Sequence, residues 1–399
     1  MYIKKVDMRD LKALLIGIIF FPIRRLLKPR KKLWLFGSDQ GLKYAQNSKY
    51  LFEFVVKNHP EIEAYWITRS LSVYNELNEK GIPVLDNISI KGAYYSLIAE
   101  QKVESTWFND ILYTFPNNRV AYLMHGMPIK KIYYDNIPKL SPPKSIIRDI
   151  KGILSDLFLY DFKLENSCFT PVTSPFFKEL VVKAMRNNNV YVTGQPRTDA
   201  FLHLDGNVIR DKYGIDKKSF IITYMPTHRS YGRGEPSPHI FINNKEAIKF
   251  FKDNNIVIVW KQHINMLKNY KKLEADDCFK ELSFDYSVDP QELLFVSDVL
   301  ITDWSSCFID YMLLQRPILF YQYDDYEKND NDLYYGTEKL SKVGQISHDE
   351  KKLLKDIRMV CSNDRVRYDK EDWTIFNEYY DDKSCERSFY ILQSIVGNG

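Results

Sequence analysis

The chain has 399 residues, too many for one ordinary domain, so two is the natural division. Hydrophobic content of 45% and charged content of 27% are those of a folded globular protein, and a net charge of +4 is too mild to mark a nucleic-acid binder. The five cysteines are scattered without CxxC spacing, which argues for a reducing cytoplasm and against a zinc site or disulfide framework.

Leu11–Ile23 is largely apolar, and Arg24, Arg25, Lys28, Arg30, Lys31 and Lys32 follow it. The run is too short for a bilayer span, which takes about 20 residues. A signal peptide fits poorly, because the cations come after the apolar run and no small-residue cleavage site follows. A core-packing helix with a solvated basic tail is one reading, and a nucleic-acid arm another, though no aromatic-stacking pattern accompanies it. An interfacial anchor on anionic lipid fits best. Residues 1–30 are therefore expected to form a membrane-associating arm on the cytoplasmic face.

Residues 31–206 are expected to be a Rossmann-like domain. Lys32–Gly37, Glu63–Thr68 and Pro83–Leu85 read as strands, with helices over Tyr50–Asn58, Leu71–Lys80 and Lys91–Ala99 and a further strand at Val103–Trp107. This alternation implies a doubly wound parallel sheet. Val120–Met124 is the next strand, so His125-Gly126 falls where the chain leaves the sheet's carboxyl edge, the edge at which open α/β sheets bind ligands. A His there can serve as a general base near neutral pH, Gly126 allows close backbone approach, and Lys130 and Lys131 can meet phosphate. A capping or core histidine is the competing reading. Pro138–Phe158 reads as an irregular excursion. Val190–Val192 is a strand ending in Gly194-Gln195-Pro196-Arg197-Thr198-Asp199, where Arg197 either pairs with Asp199 to stiffen the turn or meets phosphate bidentately.

Asn207–Lys218 reads as a charged interdomain linker, and residues 207–399 as a second Rossmann-like domain. Phe220–Tyr224 is a strand followed by Thr227 and Arg229, both suited to phosphate. Ile256–Trp260 is a strand followed by Lys261 and His263. Pro290–Val296 is a helix leading into Val299–Ile301, a strand whose polar turn Asp303-Trp304-Ser305-Ser306 caps a helix carrying Phe308, Ile309, Met312 and Leu313. Ile318–Tyr321 is the next strand, and Trp373–Ser394 a last amphipathic helix. Capping alone would explain the two serines, but a helix N-terminus is also an anion site. Five strand ends thus carry cations or hydroxyls, which points to a shared polyanionic ligand. No GxGxxG or Walker loop is present, which disfavours a dinucleotide dehydrogenase or a kinase of that class.

At these residues the sequence resembles the CDP-glycerol glycerophosphotransferase family, the bacterial teichoic acid primases and polymerases. The matching stretches are HGMPIKK (His125–Lys131), GQPRTD (Gly194–Asp199), MPTHR (Met225–Arg229), KQH (Lys261–His263) and ITDWSSCFIDY with RPILFY (Ile301–Tyr321), in order along roughly Lys31–Gly344. The resemblance implies a GT-B-like α/β fold of two Rossmann-like domains facing a central cleft. It implies transfer of glycerol phosphate, or a related alditol phosphate, from CDP-glycerol to a hydroxyl of a membrane-linked primer or polysaccharide, in teichoic acid or capsule synthesis. His125 and His263 would be the catalytic pair. Gly126, Lys130, Arg197, Thr227, Arg229, Lys261, Asp303, Ser305, Ser306 and Asp310 would line the substrate. No metal cage is legible, and Mg2+ bridging the pyrophosphate is the one cofactor the chemistry admits. A GT-B sugar transferase or epimerase using a UDP-sugar, and a non-catalytic nucleotide- or lipid-binding protein, are the alternatives.

Overall fold

The computed structural model describes residues 8–106, 109–115, 118–136, 153–154, 156–160, 162–227, 238–262, 276–285, 288–324, 333–362 and 370–397. Its strands are β1 Arg30–Gly37, β2 Glu63–Thr68, β3 Val84–Asp86, β4 Ala99–Glu104, β5 Val120–Tyr122, β6 Thr170–Val172, β7 Val190–Val192, β8 Phe220–Tyr224, β9 Ile256–Trp260, β10 Phe279–Glu281, β11 Val299–Thr302, β12 Ile318–Tyr321 and β13 Gln345–Ser347. Its helices are α1 Met8–Phe20, α2 Gln46–Asn58, α3 Leu71–Glu79, α4 Ile90–Ile98, α5 Pro175–Met185, α6 Gly206–Tyr213, α7 Lys245–Asp253, α8 Pro290–Val296, α9 Cys307–Met312, α10 Thr337–Leu340, α11 Glu350–Ser362, α12 Lys370–Phe376 and α13 Ser384–Gly397.

The chain divides into two compact units. The first comprises Met1–His125, Tyr133–Asp199 and Asp381–Gly399, and the second Gly126–Ile132 and Ala200–Tyr380. The main division falls at Asp199/Ala200, not at the expected 206/207, and the C-terminal residues group with the first unit.

In the first unit a parallel sheet runs in the order β3-β2-β1-β4-β5. Leu33, Trp34, Leu35 and Phe36 of β1 are all buried, as a central parallel strand covered on both faces requires. Ser70 and Ser89 cap α3 and α4 by accepting from Val73 N and Gly92 N. One core joins Trp34, Phe36, Phe52 and Trp66 to Phe389 and Leu392 of α13. β7 is an expected strand and its partner β6 is not, because Thr-Pro-Val gives little strand signal; the small β6-β7 pair lies beside β5 through an Ala121–Phe169 bridge.

The second unit's parallel sheet runs β10-β9-β8-β11-β12-β13. The expected linker is instead α6. Asp205 accepts from Asn207 N and Val208 N at its start, Gly214 takes the left-handed conformation at its end, and Ile209 and Tyr213 are buried. These caps and two apolar residues one turn apart outweigh the surrounding charge. The expected long final helix is two helices, α12 and α13. Asp199 and Asp381 account for the second start: Asp199 accepts from Ser384 N and Cys385 N, and Asp381 pairs bidentately with Arg387. Of the Pro138–Phe158 stretch, the described residues 153–154 and 156–158 are helical and not irregular, and the remainder lies outside the described residues.

Candidate functional site

In an open sheet, the crevice forms where successive connections leave in opposite directions. In the second unit that switch lies between β8 and β11, which pair directly. The β8 exit is Met225-Pro226-Thr227, and the β11 exit is Asp303-Trp304-Ser305-Ser306. Physical ties bind the two exits. Thr302 Oγ1 donates to Met225 O at 2.7 Å, and Asp303 Oδ1 accepts from Thr227 N at 2.7 Å and Trp304 N at 2.6 Å. Asp303 is fully buried, so its carboxylate shapes the turn that carries Thr227.

Ser305 and Ser306 are half-buried beside that turn. Ser306 occupies the N-cap of α9 with φ −65° and ψ −7°, and its side chain makes no cap hydrogen bond. The expected hydroxyl cap is thus absent, because a helical ψ at that position turns the oxygen away from the next amides. The helix is also only six residues long, so little dipole stands behind its N-terminus. Asp310, expected on the substrate, is 3% exposed and accepts from Gln291 Nε2 at 2.9 Å, a tie between α9 and α8.

Lys261 leaves β9 with its ammonium donating to Leu282 O at 3.0 Å and Asp285 O at 2.9 Å. Expected to face a pyrophosphate, it ties β9 to the turn after β10. That turn is fixed further by Gln262 N to Ser283 Oγ at 2.8 Å, Ser283 N to Glu281 Oε1 at 2.9 Å, and a His239–Glu281 contact at 3.1 Å. His263 and Arg229 lie outside the described residues. Gly126 and Lys130 also group with the second unit; Gly126 is buried, and half-buried Lys130 forms an antiparallel bridge with Leu333.

In the first unit His125 follows β5 after Met124, which holds the left-handed φ of 58°. A non-glycine residue there costs roughly 1–3 kcal/mol and persists only where its neighbours over-determine it. Asn47, at the start of α2, does this. Its Nδ2 donates to Leu123 O at 3.2 Å and Met124 O at 2.9 Å, while its Oδ1 accepts from Arg197 N at 3.1 Å. Arg197 Nη1 donates to His125 O at 2.6 Å and Gln46 Oε1 at 3.3 Å. The bonds of Arg197 and Asp199 therefore differ from the expected mutual pair: the arginine holds the His125 backbone and the aspartate caps α13. Asn47 had no signature, since an Asn at a helix start reads as a turn residue.

The His125 side chain is exposed. Crowding by protein atoms and the Arg197 cation push its pKa down, to about 4. Water still reaches the ring, and the imidazole is neutral at pH 7 and ready to accept a proton. At the first unit's own switch point, between β1 and β4, Asp110 accepts from Gln40 N, Ser105 N and Thr106 N at 2.6, 3.0 and 2.8 Å, and burial pushes it up to about 7. Burial also raises neighbouring Glu104 well above the carboxylate range. Among the described residues no group of three or more His, Cys, Asp or Glu stands ready to hold a metal ion.

A family model described as CDP-glycerol:poly(glycerophosphate) glycerophosphotransferase matches residues 19–395. The teichoic acid poly(glycerol phosphate) polymerase of Bacillus subtilis is 25% identical over 84% of this chain and 45% of its own length. The teichoic acid ribitol-phosphate primase of Bacillus spizizenii is 30% identical over 72% of this chain and 73% of its own. A structure of the wall teichoic acid polymerase TagF superposes with a TM-score of 0.72 at 20% identity, covering 99% of this chain and 95% of that one, and shows a shared GT-B-like α/β fold. With its motifs in order and the model spanning nearly its whole length, the chain belongs to the CDP-glycerol:poly(glycerophosphate) glycerophosphotransferase family.

Proposed function

We propose that His125 is the general base of a transfer from CDP-glycerol to a hydroxyl of a membrane-linked acceptor. Family membership makes the protein a phosphotransferase of teichoic acid synthesis; the residue roles and the acceptor are our reading. His125 takes the proton of the acceptor hydroxyl as the oxygen attacks the β-phosphorus. A new O–P bond forms, the bridging P–O bond breaks, and CMP leaves with its electron pair. The observation that carries this is the exposed imidazole of His125, kept neutral beside a cation at the carboxyl end of β5. Thr227, Ser305 and Ser306, at the switch point of the second unit, are assigned to the donor phosphates, with Asp303 holding Thr227 in place. Arg229 and His263 are assigned the donor-side roles that the resemblance of their motifs implies. Phosphoryl transfer needs mostly positioning and charge stabilisation, which hydroxyls, amides and cations supply.

Purified protein incubated with CDP-glycerol and a prenyl-linked glycerol phosphate acceptor should release CMP. UDP release from a UDP-sugar, with no CMP from CDP-glycerol, would sink the reading in favour of a sugar transferase or epimerase.

A peripheral, membrane-surface location fits α1. Ala13, Ile16 and Gly17 are buried, and Ala13 and Ile16 join a core with Ala93 and Leu97 of α4, while Leu11, Leu15 and Ile19 recur every fourth residue on an exposed apolar face. No helix among the described residues is long and apolar enough to cross a membrane. Exposed Arg25, Lys28, Lys31 and Lys32 follow that face, a pairing suited to anionic lipid.

A further inference from the structure

We propose that Asn47 is a positioning residue for the reaction, setting the backbone that carries His125. The inference rests on His125 being the base. Three stretches distant in sequence meet at this one buried side chain: the start of α2, the exit of β5 and the turn before Asp199. The carboxamide is the group that can serve them all. Its two N–H bonds go to the carbonyls of Leu123 and Met124, and its oxygen takes the amide of Arg197. These partners fix the amide's orientation, because a flipped group would set oxygen against two carbonyls and N–H against N–H.

The contact falls on the left-handed residue Met124, immediately before His125. If the clamp is lost, that φ relaxes toward ordinary values and swings the following Cα. Arg197 then loses its register as well, because its backbone amide is held by Asn47 while its guanidinium grips the His125 carbonyl. Gln46, also left-handed with φ 65°, receives the same guanidinium. Asn47 thus acts on the base through main chain alone, and the donor-holding turn of the second unit takes no part in the bonds it makes.

The test is a double-mutant cycle. Asn47→Asp keeps the shape and the oxygen for Arg197 N but turns a second oxygen against the two carbonyls. Misplacement of a catalytic group by about 1 Å costs on the order of 100-fold. Asn47→Asp is therefore expected to lower kcat for CMP release by roughly that factor with donor KM unchanged. In the His125→Ala background it should cost less than about threefold more, because there is no base left to misplace. Thermal unfolding checks the fold. Should Asn47→Asp not fold, Asn47→Ser, which only removes the amide, carries the same pattern with a drop of roughly 10-fold. A kcat loss that multiplies in full onto His125→Ala, or wild-type kcat in a folded variant, overturns the inference. Wild-type turnover of His125→Ala alone would instead overturn the general-base reading beneath it.

Discussion

Asp303 offers the sharpest stability prediction, because its geometry separates charge from shape. The buried carboxylate accepts from Thr227 N at 2.7 Å and Trp304 N at 2.6 Å through one oxygen. Asp303→Asn retains an oxygen for both amides and loses only the charge assistance, about 1 kcal/mol if a charged bond is worth about twice a neutral one. Asp303→Ala removes both bonds and leaves two backbone donors facing a void, for about 3–5 kcal/mol. At about 2–4 °C per kcal/mol for a domain of this class, the Asn variant should melt about 2–4 °C lower. The Ala variant should fall by about 6 °C or more. Calorimetry reads these shifts, and donor KM measured on the same samples should rise in the same order, since Thr227 loses its anchor. If Asp303→Ala melts with wild type and binds donor normally, the carboxylate does not organise the turn and the switch-point account is wrong.

The acidic limb of kcat/KM against pH should lie below the ordinary His value of about 6.5, since crowding by protein atoms and the Arg197 cation both disfavour the imidazolium of His125. Arg197→Gln should move that limb upward, and an unmoved limb would detach Arg197 from the base. The same depression makes the folded chain shed this proton before the unfolded one does, so the stability His125 contributes is present above about pH 6.5 and is lost as pH falls towards about 4. Glu104 has the opposite sign. Fully buried and raised mainly by burial, it contributes stability below the ordinary carboxyl range of about 4.3 that is lost as pH rises towards its folded value. The melting temperature of Glu104→Gln should therefore gain on wild type between pH 5 and 8, and a constant difference would refute the assignment. Leu15→Glu with Ile19→Glu should abolish sedimentation with anionic vesicles while sparing CMP release on a short, lipid-free acceptor; undiminished vesicle binding would remove α1 from the membrane contact.

The long apolar strands were legible from β-branched runs, as at Phe220–Tyr224, Ile256–Trp260 and Val299–Ile301, because a strand buried on both faces leaves a continuous hydrophobic signature. β6, β10 and β13 were not, being three residues each and paired only by their place at the sheet. The strand-end pattern singled out His125 and the Thr227–Ser306 turns as candidates, since polar residues after an apolar strand stand out. At Lys261 and Asp310 the structure shows bonds to backbone carbonyls and to Gln291, of which the sequence carries no sign. A charge at a strand end looks alike in sequence whether it meets a ligand or a carbonyl. Asn47 escaped altogether because its role is set by Leu123, Met124 and Arg197, which come near it only through tertiary structure.

The most direct measurement is single-turnover CMP release from CDP-glycerol by His125→Ala, alongside donor affinity by calorimetry. A general base is worth about 10²–10⁴-fold. The account predicts a rate lower by that factor with donor affinity retained. Release at the wild-type rate would contradict it.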